Sequence, residues 1–449
     1  MKRASRFPVS KLAVAILGIT AGVNVVAAEE SGPDNQLKAV VVTGTRAENR
    51  TEAESMQPIQ VVSVKELQDS GSSELGEALS RLIPSLNFPR PASSGFTGIT
   101  RPAQMRGLAP DQVLVLVNGK RRHTSAFLNT NVTQGRGSAP VDLNTIPISA
   151  IDHVEVLGDG ASARYGSDAI AGVINIILKS DPAGGQATTS FGQTAKGDGI
   201  QRHLDADAGF ALGDRGGVHV SFDGNSNDYT SRAGRDLRNP GAPGYGDTTY
   251  RLGDPEVKNG KLLLNADYAL SDELTAYGFA SYNRADGDTW DAFRNGRQSP
   301  LDAQAHPGGY RPTLHSESED KTIVLGLKGD IAGWKWDGSV NYGQNEIDFY
   351  TRDSLNRYLF RDTGNRQSDF YDGTLKSSQA VYQLDFNNEL DFGLANPVSV
   401  AFGVEYQHQT YKESSGEATS YYGTGGEGFS GFRPSDSGSY RRDLIAQYI

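Results

Sequence analysis

From residue 181 onward, hydrophobic and polar side chains take turns at every second position. Leu204, Ala206, Ala208, Phe210 and Leu212 alternate with Asp205, Asp207 and Gly209, and Trp334, Trp336, Val340 and Tyr342 alternate with Lys335, Asp337, Ser339 and Asn341. Ala380, Tyr382, Leu384 and Phe386 and then Val398, Val400, Phe402, Val404 and Tyr406 repeat the pattern. A period of two is the signature of a strand with one apolar face. The runs are about 10 to 13 residues long, nearer to a membrane-barrel strand than to the roughly five or six residues of a soluble one. Strands are expected near 185–194, 201–212, 217–227, 260–270, 274–284, 322–331, 334–348, 379–392 and 397–411, with a tenth from Tyr440. The connections then alternate in size: tight at 213–216, 271–273, 332–333 and 393–396, and long at 228–259, 285–321, 349–378 and 412–439. Short turns on one rim and long loops on the other are the arrangement of an outer-membrane barrel; a soluble sandwich has no need of that parity. Counted backwards, the same parity puts residue 180 on the short-turn side.

Residues 51–180 have a different texture, that of a compact α/β unit. Ile59 to Val64 predicts a short strand. Ser72 or Ser73 is placed to cap a helix whose apolar stripe is Leu75, Ala78, Leu79 and Leu82, ended by Pro84. Val113 to Val117 is a continuous apolar run closed by Asn118-Gly119, which predicts a buried strand and a tight turn. Val154 to Leu157 and Val173 to Leu178 are two more strands. Gly107, Gly160, Gly166 and Gly172 suit tight turns between them.

The N-terminus reads as an address followed by a tether. Lys2, Arg3, Arg6 and Lys11 precede an apolar stretch to Val26, and Val26-Ala27-Ala28 is a small-residue cleavage site, so residues 1–28 are expected to be a signal peptide. Residues 29–50 have a linker composition with one exception, the β-branched run Val40-Val41-Val42-Thr43, an extended patch suited to capture by a partner's sheet edge.

Composition narrows the function. The 449 residues include no Cys, which excludes disulfides, thiolate metal sites and a cysteine nucleophile. A net charge of -11 makes the chain a poor nucleic-acid binder. Mean hydropathy is -0.47 and no internal apolar stretch is long enough to cross a bilayer as a helix, so any membrane crossing is by strands. No H-E-x-x-H, P-loop or G-x-S-x-G motif occurs, and the seven His are scattered; no enzyme activity, cofactor or metal site is expected.

Two stretches carry a resemblance. QMRGLAPDQVLVLVNGKRRH at 104–123 and IPISAIDHVEVLGDGASARYGSDAIAGVINIILK at 146–179 are similar to the two hallmark segments of the plug domain of TonB-dependent outer-membrane receptors, and VVVTGTR at 40–46 resembles the TonB box that precedes it. The resemblance implies a monomeric importer in the outer membrane of a Gram-negative bacterium. Its plug and TonB box are reached from the periplasm, it is energised through TonB by the proton motive force, and it takes up a scarce, large ligand such as a ferric siderophore or other iron complex, haem, cobalamin or a saccharide. The expected architecture is an α/β plug domain at 51–180 followed by antiparallel transmembrane β-barrel strands at 181–449. That barrel is incomplete, with about ten of an expected 22 strands, so the chain is expected to be the N-terminal portion of a longer receptor. Val40, Val41, Val42 and Thr43 would pair with TonB.

Charge adds a second signal. Between Leu86 and Pro140 stand Arg90, Arg101, Arg106, Lys120, Arg121, Arg122 and Arg136, against the single acid Asp111. One reading is complementarity with lumen-facing carboxylates of the wall, such as Asp205, Asp207, Asp223, Asp267, Asp385, Glu389 and Glu405. The other makes Arg90, Arg101, Arg121, Arg122 and Arg136 contacts for an anionic iron chelate. By resemblance Arg106 is the plug arginine that locks onto barrel glutamates, while the position of a second such arginine is Gly158. Tyr245, Tyr250, Trp290, Tyr310, Tyr421 and Tyr422 lie in long loops, where they either grip a ligand or pack the loops together. The rival function is a surface receptor or adhesin on a smaller barrel without energised transport; the Val40 patch argues for coupling.

Overall fold

The computed structural model describes residues 59–90, 99–128, 135, 137–166, 168–393, 397–423 and 430–449. The signal peptide, the tether and Val40 to Thr43 lie outside the described residues.

The α/β unit begins with β1 (Ile59–Ser63), α1 (Val64–Asp69) and α2 (Leu75–Leu82), followed by the two-residue pair β2 (Leu86–Asn87) and β3 (Gln104–Met105). Then come β4 (Val113–Val117), β5 (Lys120–Arg121), β6 (Ile151–Leu157), the single turn α3 (Ser162–Tyr165) and β7 (Gly172–Leu178). Five of its strands form one sheet in the order β1-β6-β7-β4-β5, with β4 and β7 parallel and the other pairs antiparallel. The β4–β5 hairpin turns on Asn118 and Gly119, both at positive φ (49° and 75°), as the sequence pair predicts. Leu67, Leu75, Leu79, Val154 and Ile174 pack one core against the two helices. Three details differ from expectation. The helix at 75–82 has Glu74 at its N-cap with no side-chain cap; Ser72 instead accepts from the Glu74 amide at 3.2 Å, shaping the turn before it. And α1 follows β1 directly, because Ser63 and Glu66 form a reciprocal capping box that stops the strand although the β-branched Val64 comes next. Gly172 opens a strand rather than a turn: a Cβ there would sit 2.4 Å from the Leu157 carbonyl oxygen.

Ten strands follow in a single antiparallel sheet in chain order: β8 (Gly185–Gly192), β9 (Gln201–Ala211), β10 (Gly216–Asn227), β11 (Glu256–Ala269), β12 (Leu274–Trp290), β13 (Thr313–Ile331), β14 (Trp334–Arg352), β15 (Phe370–Leu390), β16 (Val398–Ser415) and β17 (Gly438–Tyr448). The sheet is open, with β8 and β17 at its edges. The turn parity holds, but β13, β14 and β15 reach 19, 19 and 21 residues, longer than the alternation alone predicts. Their extensions carry mostly polar residues on both faces, as at His315 to Lys321, with only isolated apolar ones such as Leu375, so no regular hydropathy rhythm marks them while the backbone ladder continues. Short helices α4 (Pro300–Ala305) and α5 (Arg357–Thr363) sit in two of the long connections.

The sheet is inside out by soluble standards. Asp207, Ser221, Asp223, Lys261, Asp320 and Asn341 are buried on one face, while Ile323, Leu325, Val340 and Tyr382 on the other are exposed, Leu325 at 61%. A polar face turned to a filled interior and an apolar face turned outward is the pattern that lipid selects. No helix among the described residues is long and apolar enough to cross a membrane. The α/β unit packs on the polar face. Leu263, Phe279 and Val324 of the wall join its hydrophobic core, and the short-turn ends of β9 and β10 meet Asp181 and Pro182 beside Gly209 and Gly217, so residue 180 lies on the short-turn rim as expected.

Candidate functional site

Residues 118–127 form a ribbon that climbs the inner wall from the short-turn rim toward the long loops, and its residues meet strands β11 to β16. Asn118 donates to Asn265 at 3.2 Å, and the Lys120 ammonium lies 3.0 Å from Asp337. Arg121 spans Asp168 of the plug at 2.7 Å and Glu405 of the wall at 3.3 Å. Arg122 donates to Asp320 at 2.6 Å, to Ser281 at 3.1 Å and to Thr322, and His123 shares the other Asp320 oxygen at 2.9 Å. Higher up, the Ala126 amide donates to Asn345 at 2.8 Å, the Tyr411 hydroxyl donates to the Ala126 carbonyl at 3.1 Å, and Phe127 packs on Phe349 at 6.3 Å between ring centres. Arg122, His123 and Asp320 are all buried, so this is a desolvated cluster, the kind in which removing one partner strands the others.

A second contact lies near the short-turn rim. Lys179 reaches Asp207 at 3.0 Å, and the same carboxylate meets His219 at 2.9 Å. Asp223 meets His203 at 3.0 Å and Lys261 at 3.2 Å. Within the plug, Asp142 caps the turn at Leu143–Thr145 by accepting from the Asn144 amide at 3.0 Å; burial pushes its carboxyl up to about 7 against that hydrogen bond. Burial works against the charge on His153, but hydrogen bonds to Asp152 and Glu155 outweigh it and raise the imidazole to about 9.

The candidate arginines disperse. Arg121 and Arg122 face the wall, and Arg101 is folded into the plug, donating to the Phe88 carbonyl at 2.7 Å, paired with Glu74 and stacked 4.0 Å over the Phe88 ring. Arg90 bridges Glu77 of α2 and Asp254 of the 228–255 connection, the latter at 3.0 Å, tying a long loop to the plug. Arg106 does not reach a wall carboxylate among the described residues. Its left-handed backbone (φ 55°) turns it toward the Gly158 carbonyl and Asp159 of the plug itself, at 3.4 and 3.6 Å. The plug–wall ion pairs are made instead by Lys120, Arg121, Arg122 and Lys179. Arg136 lies outside the described residues. Of the loop aromatics, Tyr310 donates to Asp302 of its own connection at 3.0 Å. Trp290 is covered on its ring by Arg251 at 3.3 Å and Arg311 at 3.7 Å, and neither guanidinium has a carboxylate within 4.0 Å among the described residues. His123, Asp320, Asn345 and the Arg251–Trp290–Arg311 stack carry no local motif; for the wall residues, the only sequence signal is a polar residue at an inward strand position.

A folded plug seated on the polar face of a lipid-facing strand wall defines a class, the plugged membrane-barrel receptors. Residues 51–173 match the family model described as the TonB-dependent receptor plug domain, and the relatives that resemble the chain are receptors of that kind. A vitamin B12 transporter, BtuB, of Vibrio cholerae is 29% identical over 213 residues, 47% of this chain and 31% of that protein. BtuB of Photobacterium profundum is 26% identical over 387 residues, 85% of this chain and 53% of that one. A probable TonB-dependent siderophore receptor, PirA, of Acinetobacter baumannii is 36% identical over 99 residues, 22% of this chain and 13% of that protein. Among solved structures, the ferric enterobactin receptor PfeA of Pseudomonas aeruginosa shares the fold with a TM-score of 0.62 at 18% identity, covering 87% of this chain and 54% of that one. The chain thus spans about a third to a half of the length of the Vibrio and Photobacterium relatives.

Proposed function

We propose that the chain works in the outer membrane of a Gram-negative bacterium as the receptor part of an importer for a scarce, large ligand, a ferric siderophore or similar iron complex. Uptake is driven by the proton motive force through TonB, which pairs with Val40 to Thr43 on the periplasmic side. The observation that carries the reading is the plug ribbon at 118–127, held to the polar wall by ion pairs and hydrogen bonds rather than by a continuous apolar interface. Such contacts exchange for water when the plug is pulled, which an apolar seam does not do at comparable cost. An anionic iron chelate is favoured over a cobalamin by Arg251 and Arg311, two guanidiniums on the long connections with aromatic stacking and no carboxylate within 4.0 Å among the described residues. The names of the relatives include both ligand classes, vitamin B12 for BtuB and a siderophore for PirA.

The test is Val41→Pro in iron-starved cells. Proline removes an amide donor and blocks strand pairing, so ferric-chelate binding at the cell surface is expected to persist while accumulation stops. A peptide spanning Leu37 to Arg46 is expected to bind the periplasmic part of TonB. Accumulation by the proline variant at the unaltered rate would defeat the coupling and leave the rival, a surface receptor without transport.

A further inference from the structure

The plug's five-stranded sheet has the tether at one edge and the wall at the other. β1, the first described strand after Val40 to Thr43, is one edge, and β5, within the ribbon, is the opposite edge. The register lines up one residue from each strand across that sheet: Val61 opposite Glu155, Glu155 opposite Asn175, Asn175 opposite Leu116 and Leu116 opposite Arg121. Residues paired directly across a ladder share a face. In the middle of this row stand Glu155 and Asn175, out of water at 0% and 1% exposure. The Asn175 amide donates to the Glu155 carboxylate at 3.0 Å, and the Asn175 oxygen accepts from the Gly119 amide at 3.0 Å. Gly119 and Asn118 form the turn at the root of the ribbon, and the Asn118 side chain donates to Asn265 of the wall at 3.2 Å. His153 stands 3.6 Å from the other Glu155 oxygen. A polar line thus crosses the plug from beside β1 to the wall. A carboxylate costs more to bury than an apolar side chain of its size, so packing alone does not account for Glu155.

We propose that Glu155 and Asn175 are positioning residues that carry the pull of TonB from β1 to the ribbon at 118–127. The inference rests on the coupling of Val40 to Thr43 to TonB. β1 is five residues long and, among the described strands, pairs with β6 alone, so a pull on the tether lifts it first. Its departure lets water reach the Glu155 carboxylate and compete with the Asn175 amide. Hydrogen bonds in such a line strengthen one another while it is dry and weaken together once it is wetted. Asn175 then withdraws from Gly119, and the turn loses the acceptor that fixes it. The ribbon is loosened at its root while Arg122 and His123 are still paired with Asp320.

The chain has no native cysteine, so Ser125→Cys can follow the ribbon: Ser125 is 2% exposed and donates to Asn345 of the wall at 3.2 Å, and a maleimide reaches it only when the ribbon leaves. The full chain carrying this change is labelled in cells with TonB energised or with the proton motive force collapsed. Energising is expected to speed labelling about tenfold, a coupling of ordinary size. Glu155→Leu with Asn175→Leu replaces the buried pair by apolar side chains of similar shape. Its urea midpoint is expected to equal or exceed the parent's, yet energising no longer speeds labelling; a pair that only held the sheet together would lower the midpoint and leave the response. Glu155→Gln still accepts from Asn175 and is expected to keep the response. Asn175→Ser, too short to reach both partners, is expected to lose it, so the two single variants decide the matter where the double variant does not fold. A folded leucine pair or an Asn175→Ser chain that responds as the parent does, or a Glu155→Gln chain that does not respond, would overturn the proposal. Val41→Pro separates the two readings. Parent labelling that ignores both the proline and the collapsed gradient defeats the coupling to TonB; labelling that heeds both, with a leucine pair equally responsive, defeats only this inference.

Discussion

At the level of single residues, the wall's hub is Asp320, which holds Arg122 at 2.6 Å and His123 at 2.9 Å with all three side chains out of water. Asp320→Ala leaves a buried guanidinium with no counter-charge and is expected to destabilise the plug–wall contact by about 3 to 5 kcal/mol, read as earlier release of the plug in urea. Asp142 gives a pH-dependent counterpart. Its carboxyl is raised from 3.8 to about 7 on folding, mainly by burial, so the folded state binds the proton more tightly than the unfolded state does. The benefit is complete below pH 3.8 and fades as pH rises through about 7, so stability falls across that window. Asp142→Asn keeps an oxygen for the Asn144 amide and removes the titration. Its urea midpoint is expected to match the parent's at pH 4 and exceed it at pH 8. Neither residue announces itself in the sequence: Asp320 is one acid in the run Glu317 to Asp320, and only the fold selects it.

At the level of elements, the strands were the most legible part of the chain, because a period of two survives in side-chain chemistry wherever one face meets lipid and the other a filled lumen. The alternation fell short beyond the apolar band, at the upper ends of β11 to β16, where the outer face too carries polar side chains and the hydropathy contrast fades. The same logic predicts what a charge does on the outer face. Leu325→Arg, at an exposed position of the apolar band, is expected to cost about 2 to 4 kcal/mol of insertion stability, measured by folding into vesicles, whereas Leu325→Val is nearly silent. On the inner face the constraint is space. Gly343 of β14 faces the His123 ring, and an added Cβ would lie 2.1 Å from Nδ1. Gly343→Ala is therefore expected to push the ribbon off the wall and destabilise by about 1 to 3 kcal/mol, visible as faster proteolysis of the 118–127 segment.

For the whole molecule, the long connections form a linked rim. Asp302 of α4 takes a double hydrogen bond from Arg357 of α5, at 2.8 and 2.6 Å, and both are buried; Asn356 donates to carbonyls of Thr419 and Tyr422 in the next connection. Breaking the pair with Asp302→Ala is expected to open 291–312 and 353–369 to protease together rather than one at a time.

The sequence by itself determined the long strands and the helix at 75–82, the two faces of each strand, the alternation of turns and loops, and a plug-like unit upstream, because each of these is written in neighbours a few residues apart. Which cation meets which acid was decided by the tertiary structure. Arg122 and Asp320 stand 198 residues apart, and Arg121 and Glu405 stand 284 apart. A buried charge requires a partner, but nothing local says which one. The basic run at 120–122 therefore admitted both a ligand and a wall as its counterpart until the ribbon was seen lying against β12 to β16.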